Sequence, residues 1–369
     1  MSLRVSTLGF VDNVGCFTRL ALIVSTYRSK TGFGFFCGLS KNPNPVLLRI
    51  YGKDFIGATI TMLEDLCSKI DISASRLKPY EGFIFLCGGP TDVRSNVPVS
   101  IRDAIQRELV KYPLLEARIR LAEDYKDWSN DAIYRDLVSF EKHLAELSSL
   151  IVLVLESAGS IAELGLFSVI DEFQKKLLVI IETDHYNSDS FIKLGPIDFL
   201  EKTHENSAEC HRWVKREGRC SIFDAQAASE IQPELVDAIR ERVSAGTPER
   251  AFQPKGWLDV ALLTCDLLGL CSALTLREIK SSLDLIGCPR SEAELKQILF
   301  VMQRLELIAM EPKGSLRFYI SRNSQEFVKL HLLDQKFDLN RFRIDLLSQY
   351  ERKDKKRFRA IQEARRRYA

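Results

Sequence analysis

The sequence has no apolar run that approaches the roughly 20 residues of a membrane-spanning helix. Its first ten residues, MSLRVSTLGF, lack the successive charged, apolar and small-residue regions of a signal peptide. The nine cysteines are scattered and include no CxxC pair, which favours reduced thiols. We therefore expect a cytoplasmic protein without a membrane partner and without a disulfide framework.

The sequence also has little that could bind a metal ion. The best candidates are Cys210, His211 and Cys220. Two adjacent ligands with a third nine positions later do not match the spacing of a zinc hairpin. We therefore predict neither a metal site nor a cofactor.

What the sequence does have is an uneven distribution of charge. The whole chain of 369 residues carries a net charge of +2, whereas residues 341–369 hold eleven Lys and Arg against four Asp and Glu. The remainder of the chain is therefore net acidic. A basic tail of this kind is typical of nucleic-acid binding, because Lys and Arg release counterions from phosphates. The alternatives are a solvated helix or one that docks on the acidic remainder.

From Gly82 onward, apolar strand-like runs alternate with helix-like segments. The strand-like runs are GFIFLCGG, EARIRLAEDY, SLIVLVLE and KKLLVIIE. This alternation predicts an α/β fold with a doubly wound, Rossmann-like parallel sheet of flavodoxin-like order. Ligands bind at the carboxyl ends of such strands. The loops of interest are Gly88 to Arg94, Glu123 to Asp127, Glu156 to Ser160, and Thr183 to Tyr186.

The C-terminal third has the pattern of a winged helix-turn-helix domain. Three helix-like segments precede two short strands around Pro312-Lys313-Gly314. Capping boxes are predicted at Thr275 with Glu278 and at Ser291 with Glu294. This fold binds nucleic acid in some proteins and only protein in others. The candidate nucleic-acid-binding residues are Lys296, Arg304, Lys313, Arg317, Lys355, Lys356 and Arg357.

These patterns divide the chain into five segments. The predicted segments are an α/β extension of unknown role (1–80), the α/β domain (81–230), a linker (231–255), the winged helix (256–335) and a basic helical tail (336–369).

The stretch LESAGSIAELG, residues 155–165, follows the third strand-like run. Small residues at a strand-to-helix turn let backbone N–H groups approach a phosphate closely. Glu163 lies about one helical turn further on, where it could attack an anomeric carbon as a nucleophile. In the other interpretation Ser160 caps the helix and Glu163 completes a capping box. The residues alone leave both interpretations open.

The segment from Gly159 to Gly165 resembles the nucleophile motif of the nucleoside 2-deoxyribosyltransferase superfamily, which has a glycine, a small residue and a catalytic glutamate. The resemblance implies that Glu163 is the nucleophile. The transferases usually have Asp two residues before the first glycine, where this sequence has Ser157. In that respect the sequence is more similar to the nucleotide N-glycosidases. This similarity implies that Ser157, Gly159 and Ser160 hold a 5′-phosphate of the substrate.

The resemblance extends to two further stretches of the α/β segment. IFLCGGP looks like the superfamily's first strand and glycine loop, so Gly88 and Gly89 would approach the sugar phosphate. The stretch around LAEDY implies that Asp124, or Glu123, orients the ribose or the base. Further candidates are Arg94 or Arg102 for neutralising phosphate, and His185 and Tyr186 for stacking on the base.

An α/β domain of this kind joined to a winged helix is similar to the toxin effectors of type II retrons, which are bacterial anti-phage systems. That family implies a partner reverse transcriptase, its branched RNA–DNA product (msDNA), a possible higher-order oligomer, and hydrolysis of the N-glycosidic bond of a nucleotide or NAD. The sequence does not choose between these substrates. The alternative function is a non-catalytic, nucleotide-sensing DNA-binding regulator.

Overall fold

The computed structural model describes residues 10–11, 17–18, 28–29, 32–33, 55–125, 133–204, 207–322 and 325–368. The chain forms two compact units, 1–57 and 58–369. The first contains two short antiparallel pairings, Phe10–Val11 with Phe17–Thr18 and Arg28–Ser29 with Gly32–Phe33. Two strand-like runs of the predicted N-terminal extension, RLALIVSTY and PVLLRIY, lie outside the described residues.

A five-stranded parallel sheet organises the second unit, which confirms the predicted mixed α/β class. Its strands are β1 (Phe83–Cys87), β2 (Ile119–Arg120), β3 (Ser148–Val154), β4 (Leu177–Glu182) and β5 (Ala208–His211). Their order across the sheet is β2-β1-β3-β4-β5. Every residue of β4 is buried, as expected of a strand that is covered on both faces.

Helices cover both faces of this sheet. On one face α1 (Ile101–Leu109) and α4 (Ala225–Ser244) pack over the side chains of alternate strand residues such as Ile84 and Leu86. On the other face α2 (Leu137–Leu147) and α3 (Ala158–Phe167) pack over Phe85. The alternation of strand side chains between two cores follows from the two-residue period of a strand.

Two details of the α/β segment differ from the prediction. The second predicted strand contributes only Ile119–Arg120, and Ala122–Tyr125 form a 3-10 turn. The fourth strand ends at Glu182, but Thr183–Tyr186, which was predicted as a loop, forms a short helix that contains His185 and Tyr186. Glu182 accepts a hydrogen bond from the backbone N–H of Asp184 at 2.5 Å, and this cap ends the strand.

Helix α4 runs through the first half of the stretch predicted as a linker, 231–255. Its side chains Leu235, Val236 and Ile239 are fully buried against the sheet. The amphipathic segment PELVDAIRERV therefore belongs to the packing of the α/β core, and only the residues after Ser244 lie outside the helix.

The C-terminal part contains three helices followed by a hairpin, in the predicted order. The helices are α5 (Trp257–Cys271), α6 (Leu276–Ile286) and α7 (Glu292–Arg304), and the hairpin strands are β6 (Ile308–Lys313) and β7 (Leu316–Ser321). Both predicted capping boxes, at the start of α6 and of α7, are present. The basic tail forms α8 (Leu339–Lys353) and α9 (Lys355–Tyr368).

A three-stranded antiparallel sheet joins distant parts of the chain. Ile70–Leu77 lies between Arg250–Ala251 and Val328–Leu332. The buried carboxylate of Asp266 on α5 accepts the backbone N–H groups of Phe327 and Val328, the latter at 2.7 Å, and so holds the last strand to the helix.

Helix α2 lies between the sheet and the C-terminal helices. The imidazole of His143 stacks on the indole of Trp257 at the start of α5, with ring centroids 4.1 Å apart. Phe140 on α2 and Tyr134 just before it both contact the ring of Phe300 on α7. Within the described residues no helix is both long and apolar enough to cross a membrane.

Candidate active site

The loop after β1 is built around the carboxylate of Glu156, which comes from the loop after β3. Glu156 accepts the backbone N–H of Gly89 at 2.8 Å, that of Ile101 at 2.8 Å and that of Arg102 at 3.0 Å. It therefore occupies the N-terminus of α1, where unpaired N–H groups and the helix dipole favour an anion.

The two glycines of this loop make room for that carboxylate. A Cβ at Gly88 or Gly89 would lie about 3 Å from atoms of Glu156. Gly89 was predicted to approach a sugar phosphate. Its backbone N–H already donates to the carboxylate of Glu156, so in this structure that N–H binds a protein side chain. Gly88 lies at the edge of the cavity described below.

Ser157 and Ser160 form a reciprocal cap at the start of α3. The Ser157 hydroxyl accepts the backbone N–H of Ser160 at 3.1 Å, and the Ser160 hydroxyl lies 3.2 Å from the backbone nitrogen of Ser157, from which it accepts. The capping box thus begins at Ser157, three residues before the position considered in the sequence, and Glu163 is not part of it. Glu163 is left with no capping role.

Glu163 lies one turn into α3 and faces a cavity of about 310 Å³. Its Oε2 atom is buried and has no hydrogen-bond partner among the described residues. Burial raises the pKa of Glu163, while a hydrogen bond from the Cys87 thiol and the nearby Arg102 guanidinium lower it. A buried carboxylate oxygen without a partner is costly in a protein interior, so its presence at a cavity indicates a ligand site.

Arg102 and Glu123 form an ion pair at the wall of the cavity. Arg102 lies in the first turn of α1 and is buried, and Glu123 lies in the 3-10 turn after β2 and is half exposed. The charge of the Arg102 guanidinium lowers the pKa of Glu163, so it stabilises the ionised form of this carboxylate.

A third carboxylate, Glu141, was missed by the sequence analysis. It lies on α2, is only 8% exposed and lines the same cavity. Burial, followed by the charges of Glu163 and Glu123, raises the pKa of Glu141 to about 7. In the sequence, Glu141 is one more polar residue of an amphipathic helix, and nothing in FEKH distinguishes it.

The structure therefore assembles some of the predicted residues and leaves others outside. The cavity is lined by Leu86, Cys87, Gly88, Arg102, Ala122, Glu123, Leu137, Glu141, Ser157, Gly159, Ser160 and Glu163. Asp124 is exposed beside it, and its carboxylate accepts the backbone N–H of Leu121 at 3.3 Å. Arg94 lies on an exposed loop and Gly89 is buried behind Glu156.

The remaining predicted candidates lie elsewhere. Tyr186 donates a hydrogen bond to Glu201 at 2.8 Å, and His185 is exposed. Cys210 contacts the Thr183 hydroxyl at 3.6 Å. Within the part of the chain that the structure describes, no group of three or more His, Cys, Asp or Glu side chains is arranged to hold a metal ion.

The predicted nucleic-acid-binding residues divide into paired and exposed side chains. Arg357 is buried, donates to the carbonyl of Ala273 at 2.9 Å and pairs with Glu278 at 2.6 Å. Lys313 pairs with Glu363 of α9. Both therefore hold the tail against the rest of the C-terminal part.

The other predicted cations face solvent to different degrees. Lys296 is exposed and pairs with Glu292 at 2.7 Å, and Arg304 is half-buried over the Phe300 ring. Arg317 in the hairpin and Lys355 and Lys356 at the start of α9 are exposed. These last three are the predicted cations best placed to contact phosphates.

Comparisons with known proteins show that the chain is similar to retron proteins. The protein-family profile described as "STM3845 retron effector protein" matches residues 98–310. The retron Ec73 "putative ribosyltransferase/DNA-binding protein" of Escherichia coli is 28% identical over 208 residues, which cover 53% of this chain and 64% of that protein. Its retron Ec86 counterpart, also from Escherichia coli, is 35% identical over 160 residues, covering 43% of this chain and 50% of that protein. The chain thus aligns with less than two thirds of the length of either relative.

Proposed function

The chain belongs to the STM3845 retron effector family, and from this membership we propose that it is the toxin effector of an anti-phage retron system. In this proposal the toxin is an N-glycosidase that hydrolyses the N-glycosidic bond of a nucleotide or of NAD. The relatives' names, which include ribosyltransferase, support glycosyl-transfer chemistry. We further infer that the sheet order 2-1-3-4-5 is the flavodoxin-like doubly wound fold and that α5 to β7 form a winged helix.

The observation that carries the proposal is that Oε2 of Glu163 has no hydrogen-bond partner among the described residues and lies at the cavity, at the carboxyl ends of β1 and β3. A carboxylate at this place attacks the anomeric carbon of the sugar and displaces the base, which forms a glycosyl ester. Water then hydrolyses the ester. Burial raises the pKa of this carboxylate, and Cys87 and Arg102 oppose that effect by favouring the ionised form.

A phosphate of the substrate fits best at the first turn of α3. Gly159 is exposed there, lines the cavity and has no side chain that would keep a ligand from the helix N-terminus. The N-terminus of α1 is not available for this purpose, because Glu156 occupies it.

The proposed partners are the reverse transcriptase and msDNA of the retron, which hold the toxin inactive. The exposed cations of the hairpin and the tail support contact with nucleic acid, since they offer charge to phosphates without first breaking a buried ion pair.

The test is release of free base by the purified chain from NAD and from a panel of ribo- and deoxynucleotides. We expect release by the native chain and none by Glu163→Gln, which keeps the shape of the side chain and removes the nucleophile. Glu172→Gln, at an exposed glutamate outside the cavity, is the matched control and should behave as the native chain. Unchanged substrates with the native chain would favour the nucleotide-sensing regulator instead.

A further inference from the structure

The cavity contains a second buried carboxyl group that the nucleophilic step does not use. Glu141 projects from α2 across from α3, and the charged or titratable groups around it are Glu163 on α3, Glu123 in the 3-10 turn, Arg102 on α1 and Cys87 on β1. Arg102 is committed to its ion pair with Glu123. The charge of Arg102 thus favours the ionised form of Glu163, whereas the charges of Glu163 and Glu123 favour the protonated form of Glu141.

We propose that Glu141 is the general acid–base residue of this site and works opposite the nucleophile Glu163. The inference rests on the proposed glycosidase function. Two carboxyl groups that flank one sugar are the arrangement by which retaining glycosidases divide nucleophilic attack from proton transfer. Different surroundings assign the two roles, because the group that holds its proton near neutral pH acts as the acid.

The proposed cycle balances in two steps. In the first, a Glu163 oxygen forms a bond to the anomeric carbon, the bond from that carbon to the base nitrogen breaks, and the Glu141 proton goes to the departing base. In the second, water attacks the same carbon, Glu141 takes a proton from the water, and the bond to Glu163 breaks. The free sugar leaves, and both carboxyl groups return to their starting states.

The leaving group decides which step needs Glu141 most. When the substrate is a purine or pyrimidine nucleotide, the departing base is an anion unless it receives a proton. The first step therefore needs Glu141 as the acid. The nicotinamide of NAD leaves as a neutral molecule, so only the second step needs Glu141. There its ionised form takes a proton from the attacking water and afterwards releases that proton to solvent. The same residue therefore gives two different signatures with the two substrate classes.

The experiment compares the native full-length chain, Glu141→Gln and Glu146→Gln on NAD and on purine nucleotides. Gln has the shape of the protonated acid, so the variant should keep the thermal midpoint of the native chain. Glu146 lies on the same helix but does not line the cavity, which makes it the matched control. We expect Glu141→Gln to slow steady-state turnover of both substrates by about 10²-fold or more, and Glu146→Gln to leave it unchanged.

Two readouts separate a chemical role from a structural one. With NAD, azide should restore turnover of Glu141→Gln and give a glycosyl azide, because azide attacks the ester without losing a proton. With purine nucleotides, we expect kcat of the native chain to fall above about pH 7, and this fall should be absent in Glu141→Gln.

The outcomes distinguish this inference from the function on which it rests. Native rates in Glu141→Gln, or a slowed rate that shows neither readout, would overturn the role of Glu141 and leave the glycosidase intact. A native chain that releases no base from any of these substrates would overturn both.

Discussion

The Glu156 carboxylate accepts the backbone N–H of Gly89 at 2.8 Å and thereby fixes the loop after β1. With its two further bonds to the first turn of α1, it fills a position in which many nucleotide-binding folds place a phosphate. We therefore expect the phosphate of the proposed substrate to bind at α3 and not at the N-terminus of α1.

Replacing this carboxylate should destabilise the fold. Glu156→Ala leaves three backbone N–H groups without their acceptor, and we expect the free energy of unfolding to fall by about 1–3 kcal/mol. Urea unfolding of the variant against Glu172→Ala measures the difference. Unchanged stability together with lost activity would instead place Glu156 in contact with the substrate.

The activity should depend on pH through Glu163. Burial raises the pKa of Glu163 above that of an ordinary glutamate, and the nucleophile must be ionised. Activity should therefore be lost as pH falls through the pKa of Glu163, and this acid limb of the profile lies at a higher pH than an ordinary glutamate would give. A profile of kcat/KM against pH shows this limb in the native chain. Arg102→Gln should move this acid limb to still higher pH, because the Arg102 charge lowers the pKa of Glu163. An acid limb at the same pH in the variant would contradict this prediction.

The reciprocal serine cap can be separated from phosphate binding. Ser157→Ala removes the cap of α3 and should cost about 0.5–2 kcal/mol of stability. If the hydroxyl also binds phosphate, KM should rise for a nucleotide and stay unchanged for the matching nucleoside. Equal changes of KM for the two substrates would limit the residue to capping. Ser139→Ala, in the first turn of α2 and outside the cavity, is a control for a serine lost from a helix start.

Arg357 should act on stability rather than on nucleic-acid binding. It is buried between Glu278, Asp354 and the carbonyl of Ala273, and its loss leaves buried acceptors unpaired. We expect Arg357→Ala to lower the free energy of unfolding by about 3–5 kcal/mol. Lys356→Ala, at an exposed neighbour, should change it by less than about 0.5 kcal/mol. Equal effects of the two changes in urea unfolding would contradict the structural assignment.

The exposed face of α9 should determine the salt dependence of binding to nucleic acid. Lys355, Lys356, Arg359 and Arg366 are exposed on this helix. Each contact with a phosphate contributes about one unit to the slope of log K against log salt, so each alanine substitution at a contact should lower the slope by about one. Lys175→Ala, an exposed cation of the α/β part, is the control. A slope that does not change across the α9 variants would assign the tail to protein contacts.

Local patterns in the sequence were sufficient for much of this fold. The apolar runs gave the long strands β1, β3 and β4, and the capping boxes marked the starts of α6 and α7 correctly. These features depend on residues within a few positions of each other. The strand Ile70–Leu77 was missed because its partners, near residues 250 and 328, are far away along the chain.

The same limit applies to the site. Glu163 could be named as a site residue because its motif is contiguous in the sequence. The place of Glu141 in the cavity depends on how α2 faces α3, which no local pattern shows. The role of Glu156 could not be predicted from the sequence. The three backbone N–H groups that donate to it belong to the loop after β1 and to the start of α1, far from Glu156 along the chain. A sequence pattern also cannot tell whether a serine hydroxyl is used by a ligand or by its neighbour three residues away.

The two faces of α2 have a consequence for how the proposed glycosidase could be inhibited. Glu141 reaches the cavity from the same helix whose His143, two residues on, stacks on Trp257 of α5. Because α2 packs on α5 and α7, a partner that held either helix in a shifted position would move α2 as well. It would thereby withdraw the Glu141 carboxyl group from the cavity, although the partner itself does not enter the cavity. Inhibitor and substrate would then bind at separate places, and a high substrate concentration would not relieve the inhibition.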